Sequence, residues 1–426
     1  MHILFLSHYF PPEVNAPATR TYEHCRRWVR AGHRVTVITC APSCPTGVVY
    51  AGYRNRWRFE EQCDGIDVVR VWTSLAANRG FLRRIVNYVS YMFTATWCAL
   101  WIRDVDVLVA TSPQFFCGFA GVLCRWLRRT PFVLEIRDIW PESIITVGAM
   151  RRSRLIRVLE WLEQRMYKAA DHIVTVGEGY RRQLLNRGVE PAKISVVPNG
   201  TDVSQFKPRR PSSELRQLWD AGGAIGCDKF VCAYIGTIGM AHGLDVVLRA
   251  AAELKRLGRD DVVFWMVGDG AERQNLEAEV QRLMLVNVIF TGMVEKSQLA
   301  DVIASCDACL VHLRGTELFG TVLPSKMFEI MAMNVPMIMG VRGEAADIVA
   351  AASAGVPMIP DDEGSLLHAV AMLRAAGDRY RQGRAYVERF YNRDELATQM
   401  LTVLTQHSRW DSREPAIESR ARRDAA

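Results

Sequence analysis

The chain has 426 residues, of which 49% are hydrophobic and 23% charged. That is enough apolar material for two ordinary domains, and it excludes a disordered, collagen-like or coiled-coil protein. The net charge of +7 is unevenly spread: residues 1–200 carry 27 Lys+Arg against 16 Asp+Glu, and residues 201–426 carry 26 against 30. A basic first half beside a mildly acidic second half points to an anionic surface or partner facing the first half.

Taken in chain order, residues 2–7 (HILFLS) read as a buried strand rather than a signal peptide. A loop follows, then a helix carrying Tyr22, Cys25, Trp28 and Val29, a stop at Gly32, and a second strand at 33–40. Strand, helix and strand within so short a stretch make a parallel-sheet unit, and open α/β sheets bind ligands in the loops at the C-terminal ends of their strands. Further strand-like runs lie at 66–72, 105–111, 131–136 and 172–176, before Pro198-Asn199-Gly200 marks a turn. The alternation then restarts, with strands at 230–236, 262–270 (strand plus turn), 286–292 and 307–313 and helices at 244–258, 272–285 and 296–304. The predicted fold class is α/β: two Rossmann-like parallel-sheet domains, 1–198 and 199–385, facing a cleft. A helix at 386–407 is expected to pack back on the first domain, and the charged tail 408–426 to be disordered.

One segment breaks the alternation. From Ile85 to Ile102 there is no charge, and Arg79, Arg83 and Arg84 precede it. Asn87, Ser90, Thr94 and Thr96 dilute it too far for a membrane span, so 81–102 reads either as a helix lying in a membrane interface or as an ordinary buried helix. The eleven cysteines are scattered, mostly inside apolar runs (Cys40, Cys98, Cys117, Cys232), and read as reduced thiols of a cytoplasmic protein. Cys306 and Cys309 have CxxC spacing, but no second pair or nearby His completes a metal site, so no metal is expected.

The residues with most chemistry lie at 312–338. Ser325 is placed to cap a helix whose apolar positions are Phe328, Met331 and Ala332, and which Asn334 and Pro336 end. A helix start suits a diphosphate; Lys326 adds a cation there, and Glu329, one turn on, offers a carboxylate to ribose hydroxyls. The loop Gly236-Thr237-Ile238-Gly239, running on to His242 and Gly243, lets backbone approach a phosphate, although it is neither GxGxxG nor a Walker loop. Gly268-Asp269-Gly270 is another strand-end turn. In the first domain, Glu135, Arg137, Asp138 and Glu142 follow a strand. His8 is either an acid–base or a structural histidine, and Asp104-Val105-Asp106, a DxD, leads straight into a strand without other ligands.

Taken as an ordered set, ILFLSHYFPPE, GHRVTVIT, IRDIWPES, VVPNGTD, GTIGMAHGLDVVLRAA, VGDG, FTGMV and VLPSKMFEIMAMNVP resemble family 4 glycosyltransferases of the GT-B type. The likeness covers residues 1 to about 405, and is closest to the bacterial surface-polysaccharide branch that includes fucosamine transferases. It implies metal-independent, retaining transfer of a sugar from a nucleotide donor, with UDP as the expected nucleotide and no cofactor. The expected acceptor is a lipid-linked saccharide at the inner face of the cytoplasmic membrane, where the protein would sit peripherally. No nucleic acid is expected as a partner. By resemblance Glu329 is the ribose-binding glutamate, Gly236 and Gly239 lie near the donor phosphates, and Asn15 and Ala16 occupy the acceptor-side glycine pair.

The chain also departs from the family pattern. Thr321 stands at the first motif glutamate, Thr237 and His242 stand at the usual Arg and Lys, and Arg137 and Asp138 occupy the region of the usual catalytic histidine. The expected catalytic set is therefore Asp138, Lys326 and Glu329, with Lys326 and a protonated His242 replacing the lost cations. Gly236, Thr237, Gly239, His242, Asp269 and Ser325 complete the donor side, and Asn15, Ala16, Arg137 and Glu142 the acceptor side. A nucleotide-sugar epimerase of the same fold and a non-catalytic nucleotide-sugar-binding subunit are the competing readings.

Overall fold

A computed structural model describes residues 1–44, 46–76, 81–112, 114–140, 154–219 and 229–410. Contacts divide the chain into two units: Met1–Pro198 with the chain from Asp394 on, and Asn199–Arg393.

The first unit is built on an eight-stranded sheet of β1 (His2–Leu6), β2 (Arg34–Cys40), β3 (Arg58–Cys63), β4 (Ile66–Val71), β5 (Val107–Thr111), β6 (Phe132–Ile136), β7 (His172–Thr175) and β8 (Ile194–Val196). Its order is β3-β4-β2-β1-β5-β6-β7-β8. All neighbours are parallel except the β3–β4 hairpin at the edge. The central strands are buried along their whole length and mostly apolar, as befits parallel strands covered on both faces. Close packing sets some residue types: a Cβ on Gly118 would lie 2.3 Å from Met166 Sδ, and one on Gly121 2.5 Å from the Phe132 ring. The hairpin strand β3 is a polar, mostly exposed run, so it gives no periodic signal and is not legible in the sequence.

The second unit holds a six-stranded parallel sheet of β9 (Phe230–Ile235), β10 (Val262–Val267), β11 (Val288–Gly292), β12 (Ala308–His312), β13 (Met337–Gly340) and β14 (Gly355–Pro357). Its order is β11-β10-β9-β12-β13-β14. Among the parallel strands of each sheet the order reverses once, at β1/β5 and at β9/β12, and the loops leaving those strands open the crevice in which such sheets take ligands. The C-terminal stretch, expected to be one helical region, is two helices, Gly383–Phe390 and Arg393–Gln406. They part at Asn392, which pairs with Thr201 as an isolated bridge. The second helix buries Leu396, Met400 and Leu404 in the core of the first unit, beside Trp28.

One buried ion pair ties that unit together. Arg20 Nε donates to Glu135 Oε1 at 2.8 Å, and Thr111 Oγ1 donates to Oε2 at 2.6 Å. The remaining Arg20 nitrogens donate to the carbonyls of Val197 and Pro198. Burial alone would push the Glu135 carboxyl up, but Arg20 and Arg137 outweigh it and hold it below the ordinary range. Its contribution to stability is therefore present at neutral pH and lost as pH falls through that lowered value. Arg20→Met, which strands a buried carboxylate, should lower the unfolding free energy of this unit by about 3 kcal/mol or more in urea titrations. A change below about 1 kcal/mol would show that the pair carries little.

Candidate functional site

Two strand-end loops in the second unit meet backbone to backbone. A Cβ on Gly268 would sit 1.9 Å from the Gly236 carbonyl oxygen, and one on Gly270 would sit 2.2 Å from that of Ile238. Gly236 has φ +138° and Gly268 φ +136°, which side-chain-bearing residues rarely adopt. Ile238 N–H donates to the Asp269 carbonyl at 2.9 Å and locks the loops together. Gly236, Gly239 and Asp269 are thus brought to one place. The Asp269 side chain is exposed and accepts from the Gly270 amide.

Three residues absent from the expected set hold the 236–243 loop. Tyr234, at the end of β9, donates its hydroxyl to the Thr237 carbonyl at 2.6 Å. His312, at the end of β12, accepts from the Asp361 amide on Nε2 (3.0 Å), which puts its proton on Nδ1, and that donates to the His242 carbonyl at 2.6 Å. Arg314 Nε donates to the Met240 carbonyl at 2.9 Å. The only sequence signal for these three is their place at or just past strand C-termini.

Lys326 opens the helix Lys326–Ala332, and its ammonium reaches this loop. Nζ is buried, has no hydrogen-bond partner among the described residues, and lies 3.8 Å from the centroid of the Tyr234 ring. A Cβ on Gly236 would be 3.1 Å from it. Burial lowers the Lys326 pKa to about 7, while Cys309 and Glu329 act in the opposite direction. Glu329 is half-buried, one turn on. Burial raises its pKa, against the pull of Arg393, Lys296 and Lys326.

Two expectations need correction here. Ser325 has helical backbone angles (φ −58°, ψ −30°) and makes no side-chain cap, because its hydroxyl does not reach the third-position amide from there. The helix spans only seven residues, so its dipole contributes less than expected. His242 is not a second cation. Burial first and the Lys326 charge second hold its pKa at about 3, so it is neutral, with Nδ1 buried and unpartnered.

In the first unit the loops after β1 and β6 converge. Arg137 donates to the Ala16 carbonyl at 3.3 Å, and the amides of Arg137 and Asp138 point at Ser112 Oγ (2.8 and 3.4 Å). Asn15 lies beside them, but its side chain caps the helix Ala16–Arg30 by accepting from Ala18 N at 3.0 Å. Glu142 lies outside the described residues. His8 is structural: it is boxed by Tyr9, Tyr88 and Tyr91, hydrogen-bonded to Asn87 at 2.7 Å, and lowered by burial to about 4. Asp106 accepts from the His2 amide, and Cys306 and Cys309 are buried free thiols. Among the described residues no three His, Cys, Asp or Glu side chains converge as metal ligands.

Two Rossmann-like parallel-sheet units, each with its ligand loops at a switch point, define the GT-B class of glycosyltransferases. Comparison with known proteins gives the family. The Glycosyl transferase 4-like domain matches residues 15–200 and the Glycosyl transferases group 1 model matches residues 229–375. The chain belongs to the family 4 glycosyltransferases, and it is an enzyme of that kind. It is 24% identical over 342 residues (78% of this chain, 82% of the relative) to WcaI of Escherichia coli (strain K12), named as a colanic acid biosynthesis glycosyl transferase. It is 25% identical over 384 residues (89% and 90%) to a GDP-mannose-dependent alpha-mannosyltransferase of Mycolicibacterium smegmatis. The structure of Anabaena HepE in complex with UDP and glucose superposes with a TM-score of 0.69 at 17% identity, covering 95% of this chain and 99% of that one.

With Lys326 near pH 7 in the free protein, its charge is present below that value and lost above it. Affinity for a nucleoside diphosphate, measured by calorimetry, should therefore fall above pH 7, by up to about tenfold per pH unit. Lys326→Met, which shares the ligand's own titration, should show a flatter profile. Parallel profiles would contradict this assignment.

Proposed function

We propose that this enzyme moves a sugar from a UDP-sugar to a lipid-linked saccharide of a surface polysaccharide, at an anionic membrane surface, with retention and without a metal. The observation that carries the donor half is the Lys326 ammonium beside the Gly236 loop, without a hydrogen-bond partner among the described residues, with the Glu329 carboxylate one turn away. A buried cation lacking a partner is costly, and two diphosphate oxygens would satisfy it. In this reading Lys326 holds the leaving diphosphate and Glu329 the ribose hydroxyls. Thr237, Gly239, His242, Asp269 and Ser325 line the donor, with His242 in its neutral form. Asp138 orients the acceptor or the transferred sugar, beside Asn15, Ala16 and Arg137.

The membrane half is supported by the helix Phe81–Ala99, which is amphipathic in the reverse of the usual sense. Its polar residues face inward: Asn87 bonds His8, Ser90 accepts from Ser74 N at 2.8 Å, and Thr94 donates to the Trp72 carbonyl at 2.9 Å. Its outward side carries Val86, Phe93 and Trp97, and the turn beyond it Leu100 and Trp101, each at least 38% exposed. The neighbouring helix Phe115–Arg128 exposes Trp126 and Leu127. Tryptophans with arginines at the edge (Arg83, Arg84, Arg129) suit the headgroup layer of a bilayer, where rings sit half-immersed and guanidinium groups meet lipid phosphates. Among the described residues no helix is long and apolar enough to cross a membrane.

Lys326→Met should reduce turnover by at least ~10²-fold with a UDP-sugar and a lipid-linked acceptor, the scale of losing one electrostatic stabiliser. Near wild-type turnover would discard this role for Lys326. Tighter competition by GDP than by UDP would replace the nucleotide, and product formed from donor alone would favour an epimerase. For the membrane half, the protein should co-sediment with anionic liposomes in a salt-sensitive way. The double variant Trp97→Ser, Trp101→Ser should lose most of that binding, and equal binding by the variant would refute this docking face.

A further inference from the structure

Tyr234, the penultimate residue of β9, turns its ring to a lysine, which donor binding alone does not explain. Lys326 Nζ stands 3.8 Å from the ring centroid, close enough for the negative π face to attract the ammonium. The same ring lies edge-on to His242, with centroids 5.9 Å apart at 66°. Tyr234 is buried, and burial raises its phenol pKa, so the hydroxyl stays a donor to the Thr237 carbonyl. The groups facing the ammonium are therefore Tyr234 from β9, Cys309 from β12, His242 from the loop, and Glu329 from its own helix. None of them hydrogen-bonds it.

We propose that Tyr234 is a positioning residue: its ring face holds the charged Lys326 ammonium beside the Gly236 loop until a diphosphate oxygen takes it over, and its hydroxyl fixes the Thr237 carbonyl at the start of that loop. The inference rests on the donor-site reading above. A ring suits this task because it stabilises a cation without hydrogen-bonding it, leaving all three N–H donors for the ligand. A carboxylate in the same place would hold the ammonium more strongly and compete with the incoming phosphate. The glycine at 236 completes the arrangement, since a side chain there would stand between the loop backbone and Nζ.

The test varies the ring's electrostatics at nearly constant shape. Phenylalanine and its mono-, di- and trifluoro analogues are placed at position 234 of the full chain, and Lys326 is titrated by NMR of ¹³C-labelled lysine in the nucleotide-free protein. Lys326→Met identifies the signal. Tyr234→Phe should keep the wild-type midpoint, near 7, because the ring remains. Successive fluorines should lower the midpoint, by at least about half a pH unit for the trifluoro ring. A midpoint that stays constant across the series overturns the proposal.

Calorimetry with UDP gives the second reading. Because the ammonium leaves the ring on binding, affinity at pH 6, where the free lysine is charged, should rise about twofold or more across the series, while at pH 8.5, where the free lysine is neutral, it should stay constant. An equal fall at both pH values would mean that Tyr234 only supports the loop, which also overturns the proposal. If the midpoint moves but the wild type binds no UDP, the ring–ammonium contact stands and the donor-site reading fails instead.

Discussion

An ammonium group removed from water loses several kcal/mol of hydration unless something replaces it. At Lys326 the replacement is incomplete: one aromatic face, with a carboxylate a turn away and no hydrogen bond. The chain tolerates this because the surroundings are fixed. Met327, Phe328, Ile330, Met331 and Ala332 are buried and anchor the helix that carries it. A site holding an unsatisfied cation at the end of a strand is prepared for an anion, and the remainder of the second unit can be understood as the means of holding it ready.

The glycine loops serve that purpose differently from a phosphate-cradling loop. Gly268 is required because a Cβ there would strike the Gly236 carbonyl, and Gly236 because of its positive φ and the nearness of the Lys326 ammonium. His312 and Arg314 add the cross-ties that keep the 236–243 turn in register with β12. Here the cation comes from a different element, so loop and helix must be held to each other, and Tyr234 contacts both.

Most of the parallel strands were legible as apolar runs bounded by turn residues, and two series of them pointed to the two-sheet architecture, whereas β8 and β14, three residues each, are too short to give that signal. Lys326 and Glu329 were legible from their spacing at the head of a short apolar helix. What was not legible depends on distant partners. The neutrality of His242 arises from burial and from Lys326, 84 positions along the chain. The roles of Tyr234, His312 and Arg314 come from carbonyls that sequence does not place. Glu135, read as part of a charged cluster, is committed to Arg20 and Thr111, and Ser325 fails as a cap through its backbone angles. The helix Phe81–Ala99 shows the opposite case: its composition was ambiguous between interface and core, and which side it turns inward, the polar one, became visible only in the fold.

The central claim is that the diphosphate of a nucleotide sugar completes the coordination of one buried lysine. A crystal structure of the enzyme with UDP tests this most directly. The account expects Lys326 Nζ within hydrogen-bond reach of a diphosphate oxygen, having left the Tyr234 ring face, with the Glu329 carboxylate on the ribose hydroxyls. UDP bound elsewhere, or a Lys326 that stays on the ring while the diphosphate is held by other groups, would contradict it.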